Sequence, residues 1–416
     1  MSIVVPFKAI RPRADKAEQI VCRPYDVLNA KEARELAKGN EISFYHVIKP
    51  EIDFPEGHDV YSKEVYQKGA DNFRKLMDDG MMIQDDEENF YAYQIQMGDH
   101  IQTGLVCCCA IDDYFNNKIK KHELTRPDKE EDRKNHVRYS KMNYEPVFFS
   151  YPHVNEVNDV INKSKKADPV HEITTNDGIK HTLWIIGDRG DVQRIQNLFE
   201  EKVPSIYIAD GHHRTAAGAL VGKEIREQEG GSADDEKRYN YFMAVLFPDN
   251  ELKIIDYNRV VKDLNGLSED EFLEKLDDSF EIQAISEQAK PTKLHQFGMY
   301  IDGQWYYLNA LDDTYDDNDP IGVLDVTILS DKVLDPILGI KDLRTDKRID
   351  FVGGIRGLGE LEKRVDTGEM KVAFALFPVS MQQLVDISDN DLIMPPKVTW
   401  FEPKLRSGLF VHDLSE

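Results

Sequence analysis

The chain has 416 residues, and its 77 acidic side chains outnumber the 52 basic ones, which gives a net charge of −25 with the histidines neutral. Hydrophobic residues make up 41%, which is typical of a folded protein and too high for a disordered one. A surface this acidic repels DNA, RNA and anionic lipid unless a local basic patch overrides the charge. The composition therefore favours a protein of two or three domains that handles small molecules.

The first residues and the cysteines predict a cytoplasmic protein. Residues 1–8 contain no basic segment followed by a long apolar stretch. No apolar run reaches the roughly 20 residues of a membrane helix. Three of the four cysteines are consecutive, Cys107 to Cys109, so on a strand their side chains point to alternate faces. This arrangement favours buried strand residues over ligands of one metal ion.

The predicted elements divide the chain into three regions. Residues 1–110 contain a helix at 30–38 capped by Asn29, a strand at 43–48, a helix at 61–79, and a hairpin of strands 89–97 and 103–111. In residues 111–262 helices are predicted at 127–141, 157–166, 191–201 and 215–229, and strands at 146–151, 181–186, 205–209, 241–247 and 252–261.

Residues 263–416 form the third predicted region. Its elements are a helix at 268–280, a hairpin of strands 298–301 and 305–308, a helix at 325–333, a strand at 372–377, and a helix at 380–387. Helices and strands mix in all three regions. The sequence therefore predicts an α/β fold of mixed sheets, with an α+β arrangement as the alternative.

The strongest local motif is Asp210-Gly211-His212-His213-Arg214, between a predicted buried strand and an Ala-rich helix. Helix N-terminal amides attract phosphate, Gly211 lets the backbone approach it, and Arg214 can bind two phosphate oxygens. Asp210 is a candidate ligand of a metal ion or of a substrate hydroxyl. The plainer interpretation is that Asp210 caps the helix and the basic residues form a surface cluster.

A second charged motif runs from Lys120 through Lys121, His122 and Glu123 to Arg126. Glu123 would act as a base only if a substrate hydroxyl lay beside it, and otherwise the motif is a solvated charge run. A third basic cluster contains Lys397, Lys404 and Arg406, which are candidates for holding a phosphate or for packing across another domain. We expect a phosphate site if the three clusters converge.

Several stretches resemble an uncharacterised bacterial and archaeal family, domain of unknown function 1015 (DUF1015), along nearly the whole chain. The stretches are Pro24-Tyr25-Asp26-Val27, Lys121-His122-Glu123, Ala209 to Arg214, Asn258-Arg259-Val260-Val261 and Met394-Pro395-Pro396-Lys397. This resemblance names no activity by itself.

The central region is also similar to the ParB/sulfiredoxin-type fold, which includes the free serine kinases. In those kinases a His-Glu pair precedes an Asp-Gly-Thr-His-Arg motif, and here the middle Thr is replaced by His212. The resemblance implies Glu123 as the base on a serine hydroxyl, with Asp210, His213 and Arg214 around phosphates and Mg²⁺.

Two other activities of that fold are disfavoured. Sulfiredoxins have a cysteine where this chain has His212, so their nucleophile is missing here. ParB proteins follow the motif with a helix-turn-helix, whereas here two strands are predicted after the helix, at 241–247 and 252–261. We therefore expect neither nucleic acid nor membrane as a partner.

The leading hypothesis is a small-molecule phosphotransferase, most specifically a free L-serine kinase that uses ATP or ADP with Mg²⁺. Glu123, Asp210 and His213 are the predicted catalytic residues, with Asp210 also as the metal ligand. The predicted phosphate or nucleotide contacts are Gly211, His212, Arg214, Lys397 and Lys404, and the substrate contacts are His122 and Asp26. The alternatives are a nucleotide-binding regulatory protein without transfer activity and a phosphohydrolase.

Overall fold

A computed structural model describes residues 2–415, and the chain forms two compact units. Residues 1–252 together with 403–416 form the first unit, and residues 253–402 form the second. Within the described residues, no helix is both long enough and apolar enough to cross a membrane.

A nine-stranded mixed sheet forms the centre of the first unit. Its strands are β1 (Val4–Val5), β4 (Phe90–Met97), β5 (His100–Ala110), β6 (Ile119–Lys120), β8 (Val147–Tyr151), β9 (His171–Thr174), β10 (Lys180–Ile186), β11 (Ile206–Asp210) and β12 (Tyr241–Pro248). The order is β6-β11-β8-β12-β5-β4-β10-β9, and β1 pairs with β5. The pairs β6/β11 and β8/β12 are parallel and the other pairs are antiparallel.

Two small sheets complete the strands of this unit, with β2 (Ile10–Pro12) against β3 (Met82–Gln84) and β7 (Met142–Asn143) against β21 (His412–Asp413). The helices are α1 (Ala17–Ile20), α2 (Ala30–Ala37), α3 (Tyr45–Ile48), α4 (Lys63–Asp78), α5 (Ile111–Phe115), α6 (Pro127–Ser140), α7 (Asn155–Ser164), α8 (Arg189–Lys202) and α9 (His212–Glu229). Side chains from α7, α8 and α9 join the sheet residues in the main core, while a second core lies among α2, α3 and α4.

The second unit contains an antiparallel six-stranded sheet in the order β15-β17-β16-β19-β14-β18. These strands are β14 (Tyr257–Val261), β15 (Phe280–Ile285), β16 (Gln296–Ile301), β17 (Gln304–Ala310), β18 (Ile349–Gly353) and β19 (Val372–Ala375). A two-stranded sheet pairs β13 (Lys253–Ile254) with β20 (Phe401–Glu402). The helices are α10 (Glu269–Leu276), α11 (Asp325–Leu329), α12 (Leu358–Asp366) and α13 (Met381–Asp389).

The predicted mixed α/β class is confirmed, and local sequence signals explain many element ends. Asn29 begins α2 with a capping box, in which its side chain accepts from the Glu32 amide and the Glu32 carboxylate accepts from the Asn29 amide. Pro127 occupies the first turn of α6, where a missing N–H has no cost, and Lys141 ends the helix in a left-handed conformation.

The strands predicted at residues 43–48 and 252–261 differ from the structure. Residues 43–48 end in helix α3, and Phe44, Tyr45, Val47 and Ile48 are all buried, so their burial does not alternate as in a half-buried strand. Residues 252–261 form two strands in different sheets, β13 and β14, which are separated by Ile255 and Asp256.

The structure groups the chain differently from the three predicted regions. The boundary predicted near residue 110 falls between β5 and α5, and β5 pairs with β12 across it, from Ala110 opposite Tyr241 to Leu105 opposite Leu246. Strands from 1–110 and 111–262 therefore share one sheet, and residues 403–416 return to the same unit.

Candidate functional site at the start of helix α9

The strongest sequence motif lies where β11 ends and α9 begins. Gly211 has φ +93°, a left-handed conformation that suits glycine, and the helix begins directly after it at His212. The helix thus starts three residues before the predicted Thr215, which places His212, His213 and Arg214 in its first turn. The N-cap residue of the helix is Gly211, which has no side chain to cap it, so Asp210 is not the N-cap residue.

His122 and His212 form a buried pair beside this helix start. Their ring centroids are 4.5 Å apart with the planes nearly perpendicular, at 89°. Both nitrogens of His122 and Nε2 of His212 are buried without a hydrogen-bond partner in residues 2–415. Burial lowers the pKa of His122 to about 4, and burial also lowers the pKa of His212 well below its usual value. Both rings are therefore neutral near pH 7.

The carboxylate of Glu123 lies at the same place and is open to solvent. Its Oε2 is 3.9 Å from Nδ1 of His212, and 45% of the Glu123 side chain is exposed. The two motifs that flank a long stretch of sequence, His122-Glu123 and Asp210 to Arg214, thus meet in space. A solvated carboxylate beside buried polar groups can receive a proton from a bound hydroxyl.

His213 is held by the backbone on the opposite side of the motif. Its Nε2 accepts a hydrogen bond of 3.0 Å from the amide N–H of Arg126, so that nitrogen carries no proton. Burial lowers the pKa of His213 as well. The ring is therefore a neutral group whose remaining donor is Nδ1–H, rather than the cation that the sequence suggested.

Arg214 lies close to two acidic residues of the site. Its Nη2 is 3.2 Å from Oδ2 of Asp210 and 3.7 Å from Oδ2 of Asp26, and its Nη1 donates to the carbonyl of Pro146 at 2.9 Å. Burial by itself lowers the pKa of Arg214, but the charges of Asp26 and Asp210 outweigh it and raise the pKa. Asp26, which had no assignable partner in the sequence, thus joins the site through Arg214.

Gly211 also makes room for this arginine. A Cβ atom at Gly211 would lie 3.1 Å from Nε and 3.2 Å from Cζ of Arg214, so a larger residue would crowd the guanidinium in addition to straining the backbone. The Nε atom of Arg214 is buried and has no hydrogen-bond partner in the described part of the chain.

The C-terminal basic cluster divides between the two units. Nζ of Lys404 lies 3.4 Å from Oδ2 of Asp210, so Lys404 joins the site. Arg406 is turned to Asp177, at 2.5 Å. Lys397 belongs to the second unit, where its carbonyl accepts a bond from Arg259, and its predicted contact with a nucleotide stays a prediction. Lys121 places its ammonium over the Tyr114 ring, 4.0 Å from the centroid.

Glu145 is a residue of this region that the sequence argument missed. It is buried, and its Oε1 accepts from the amide of Tyr25 at 3.2 Å and from the hydroxyl of Ser407 at 2.6 Å. Glu145 therefore ties the turns that carry Asp26 and Lys404 to the entrance of β8. An acidic residue directly before a buried strand was the available signal.

A small cavity adjoins the inner side of Arg214. Its volume is about 40 Å³, and its polar lining includes Arg133, His136, Asn143 and Glu145. The guanidinium of Arg133 stacks on the ring of Tyr25, 3.8 Å from the centroid. This space accommodates water or a small polar group beside Arg214.

Asp210 is the predicted ligand of Mg²⁺, and its carboxylate faces two cations, Arg214 and Lys404. Within residues 2–415, no group of three His, Cys, Asp or Glu side chains is placed to hold a metal. Mg²⁺ at a phosphate site is commonly held by one or two carboxylates together with the substrate phosphates, so Asp210 as its ligand stays a prediction.

Residues 4–327 match the family described as "Protein of unknown function (DUF1015)", in agreement with the resemblance in the motifs. Among curated proteins, no sequence matches this chain.

Three solved structures are similar to the chain at low identity. A free serine kinase in complex with AMP is 13% identical, with 72% of this chain and 86% of that chain covered and a TM-score of 0.33. A conserved hypothetical protein from Pyrococcus furiosus is 13% identical, with coverage of 72% and 90% and a TM-score of 0.32. SbnI with C-terminal truncation, from Staphylococcus aureus, is 11% identical, with coverage of 74% and 87% and a TM-score of 0.32. At these TM-scores the likenesses assign no function to this chain.

Proposed function

The chain belongs to DUF1015, a family of proteins of unknown function, and from its site we propose that it is a small-molecule phosphotransferase. The reaction proposed is transfer of a phosphoryl group from a nucleotide to the hydroxyl of a small acceptor. Phosphoryl transfer needs positioned groups and cations more than covalent chemistry from the protein, and the α9 start supplies both kinds.

The observation that carries the proposal is the position of Glu123. Its solvent-accessible carboxylate lies 3.9 Å from Nδ1 of His212, the first residue of helix α9. A hydroxyl bound next to Glu123 would therefore lie close to a phosphate held by the first amides of α9. This juxtaposition of base and anion site is what an in-line transfer requires.

Arg214 and Lys404 supply the positive charge of the site. The three histidines there are neutral near pH 7, because burial lowers the pKa of His122, His212 and His213. Arg214 and Lys404 both face the carboxylate of Asp210, which orients them before any phosphate binds. A phosphoryl group that enters would receive bonds from these cations while the neutral imidazoles donate or accept single protons.

In the proposed step the acceptor oxygen attacks phosphorus, and its proton moves to the Glu123 carboxylate. A new O–P bond forms as the bond between phosphorus and the bridging oxygen of the nucleotide breaks. The electron pair of that bond leaves on the nucleotide, whose phosphate is stabilised by Arg214 and Lys404. The phosphorylated alcohol departs, and the proton on Glu123 returns to solvent.

The finer proposal is that the acceptor is free L-serine, the donor ATP or ADP, and the product O-phosphoserine. It is supported by the resemblance of His122-Glu123 and of Asp210 to Arg214 to the paired motifs of the free serine kinases. His212, which replaces the Thr of that motif, is buried against His122 rather than exposed. The replaced residue therefore supports the wall of the site without offering a solvent-exposed hydroxyl.

The test is to incubate the purified chain with ATP or ADP, Mg²⁺ and a panel of amino acids and hydroxy acids, and to detect phosphorylated products by mass. Glu123→Gln is expected to lower kcat by about 10²–10⁴-fold, the range for a general base. Glu227→Gln, which removes the same charge from an exposed position on α9, is the matched control and is expected to leave kcat unchanged.

The outcomes separate the alternatives. A full rate with Glu123→Gln would remove Glu123 as the base. Tight nucleotide binding without any product in the panel would favour the regulatory protein. Release of inorganic phosphate that does not depend on an acceptor would favour the phosphohydrolase.

A further inference from the structure

Arg259 is the largest of the fully buried side chains, with 1% exposed, and it lies in the second unit. It lies on β14, within Asn258-Arg259-Val260-Val261. Its Nη1 donates to the carbonyl of Tyr257, and its Nη2 donates to the carbonyl of Lys397 at 2.9 Å. Two motifs that the proposed function does not use, the β14 motif and Met394 to Lys397, are thus joined through one guanidinium.

Neither Arg259 nor Lys397 has a carboxylate within 4.0 Å among residues 2–415. Arginine is rarely buried unless it is paired, because removing an unpaired charge from water is costly. Burial accordingly lowers the pKa of Arg259 to about 10. In a chain with 77 acidic residues, two neighbouring cations without an acidic partner form a local positive site.

Lys397 and Arg259 both lie beside aromatic rings. Nζ of Lys397 lies 5.7 Å from the ring centroid of Tyr257, and the guanidinium of Arg259 lies 5.3 Å from that of Phe351. Trp400 packs edge-on against Tyr257, with centroids 4.9 Å apart. Such cation–π contacts contribute less than a buried carboxylate would, so they orient the cations and leave their charge available.

Gly353 lies in close contact with the indole ring of Trp400. It pairs with Tyr257 across the sheet, and a Cβ atom there would lie 3.1 Å from three ring carbons of Trp400. The indole therefore lies over the backbone of Gly353, and any larger residue would push it away. Lys397 is exposed, so a ligand can reach its ammonium group from solvent.

We propose that Arg259 and Lys397 form a binding site for a phosphoryl group within the second unit. Two cations without an acidic partner match a phosphate dianion in charge, whereas a single carboxylate would neutralise only one of them. Lys397 would contact the phosphoryl oxygens directly from the surface. Arg259 would add its charge from beneath, through the Lys397 carbonyl that it holds. This site does not depend on the proposed transfer reaction.

The same chemistry has two sources, an inorganic phosphate and a nucleotide. The test titrates the full chain at low salt with inorganic phosphate, pyrophosphate, AMP and ATP, and follows binding by calorimetry. If a nucleotide binds more tightly than pyrophosphate, its base contacts the aromatic residues beside the two cations. If the affinities are equal, the site recognises the phosphoryl group alone. In either case Lys397→Gln is expected to weaken binding about tenfold or more, which corresponds to at least about 1.4 kcal/mol.

Lys347→Gln is the matched control, because it removes the same charge from an exposed lysine just before the far end of β18. Hydrogen exchange gives the local readout, with pyrophosphate expected to protect peptides that contain residues 351–357 and 394–402. Arg259→Lys, which keeps the charge and loses the planar fork, is a second variant if other replacements fail to fold. The proposal is overturned if Lys397→Gln binds all four probes as Lys347→Gln does and these peptides show no protection.

Discussion

Arg214 in the first unit and Arg259 in the second are both buried, yet their surroundings are opposite. Asp210 and Asp26 lie within 4.0 Å of Arg214, and their charges raise its pKa although burial alone would lower it. Among residues 2–415, Arg259 contacts two carbonyl oxygens and a ring but no carboxylate, and burial lowers its pKa to about 10. Arg214 is therefore paired with carboxylates of the chain itself. The charge of Arg259 has no such counter-charge in the described residues and is available to an anionic ligand.

This difference separates what each arginine contributes to stability. A buried ion pair that loses one member leaves the other charge uncompensated, and that loss is costly. A buried charge without an ionic partner already carries its desolvation cost, so its removal recovers that cost while it gives up the hydrogen bonds to carbonyl oxygens. The same replacement at the two positions is therefore expected to have unequal effects.

The largest effect is expected for Arg214→Met. It leaves Asp210 and Asp26 without their shared cation and the carbonyl of Pro146 without its donor, which should lower the free energy of unfolding by about 3–5 kcal/mol. Urea denaturation followed by hydrogen exchange of peptides from residues 2–252 measures it. A loss below about 1 kcal/mol would mean that the ion pairs are not formed in solution.

Asp325 in the second unit and His122 in the first unit contribute to stability with opposite pH dependences. Burial raises the pKa of Asp325 from 3.8 to about 7, although the amide of His295 donates to its Oδ1 at 2.8 Å. The folded state binds this proton more tightly than the unfolded state does. Its contribution is therefore complete below pH 4 and is lost as the pH rises to 7.

Asp325→Asn keeps an oxygen for the His295 amide and removes the charge. It is expected to raise the free energy of unfolding of the second unit by up to about 4 kcal/mol at pH 8, from a shift of about three pKa units. The gain should vanish at pH 4. Equal effects at both pH values would contradict a raised pKa, and exchange of peptides from residues 253–402 separates the two cases.

The contribution of His122, in the first unit, has the opposite pH dependence. Burial lowers its pKa from 6.5 to about 4, so its contribution to stability is complete above pH 6.5 and is lost as the pH falls to 4. Over that window the loss from this residue is about 3 kcal/mol. Phenylalanine cannot be protonated, so His122→Phe should reduce the loss in free energy of unfolding between pH 6.5 and pH 4 by that amount. An unchanged loss would show that His122 is hydrated in solution.

The smallest effect on stability is expected for Arg259→Met. Because the guanidinium has no carboxylate within 4.0 Å in the described residues, its replacement by an apolar side chain should change the free energy of unfolding by within about 1 kcal/mol. Urea denaturation in buffer without phosphate measures this change. A loss as large as that of Arg214→Met would show that the two arginines contribute equally to stability.

The sequence predicted the parts of the site that depend on local pattern. The step from an apolar strand to Gly211 and a helix is visible in the residues, and β11 and α9 follow it closely. The meeting of His122-Glu123 with His212 came only from family resemblance, since nothing local links positions 90 residues apart. Asp26 had no visible partner because Arg214 reaches it through the fold.

The charge of the motif was the least predictable property. His212 and His213 read as cations beside Arg214, but a histidine's charge depends on how much water reaches it. How far each ring is buried depends on the packing of the folded chain and has no signature in the motif itself. The strand predicted at 43–48 failed for a related reason, because Phe44 and Tyr45 are buried by tertiary contacts that a two-residue period does not reveal.

The return of residues 403–416 to the first unit has a consequence for the order of synthesis. Lys404, which faces Asp210, is translated only after residues 253–402. A nascent chain that has already paired β11 with β8 therefore still holds Asp210 without one of its two cations. The carboxylate of Asp210 therefore has both of its cations only after residues 253–402 have been synthesised.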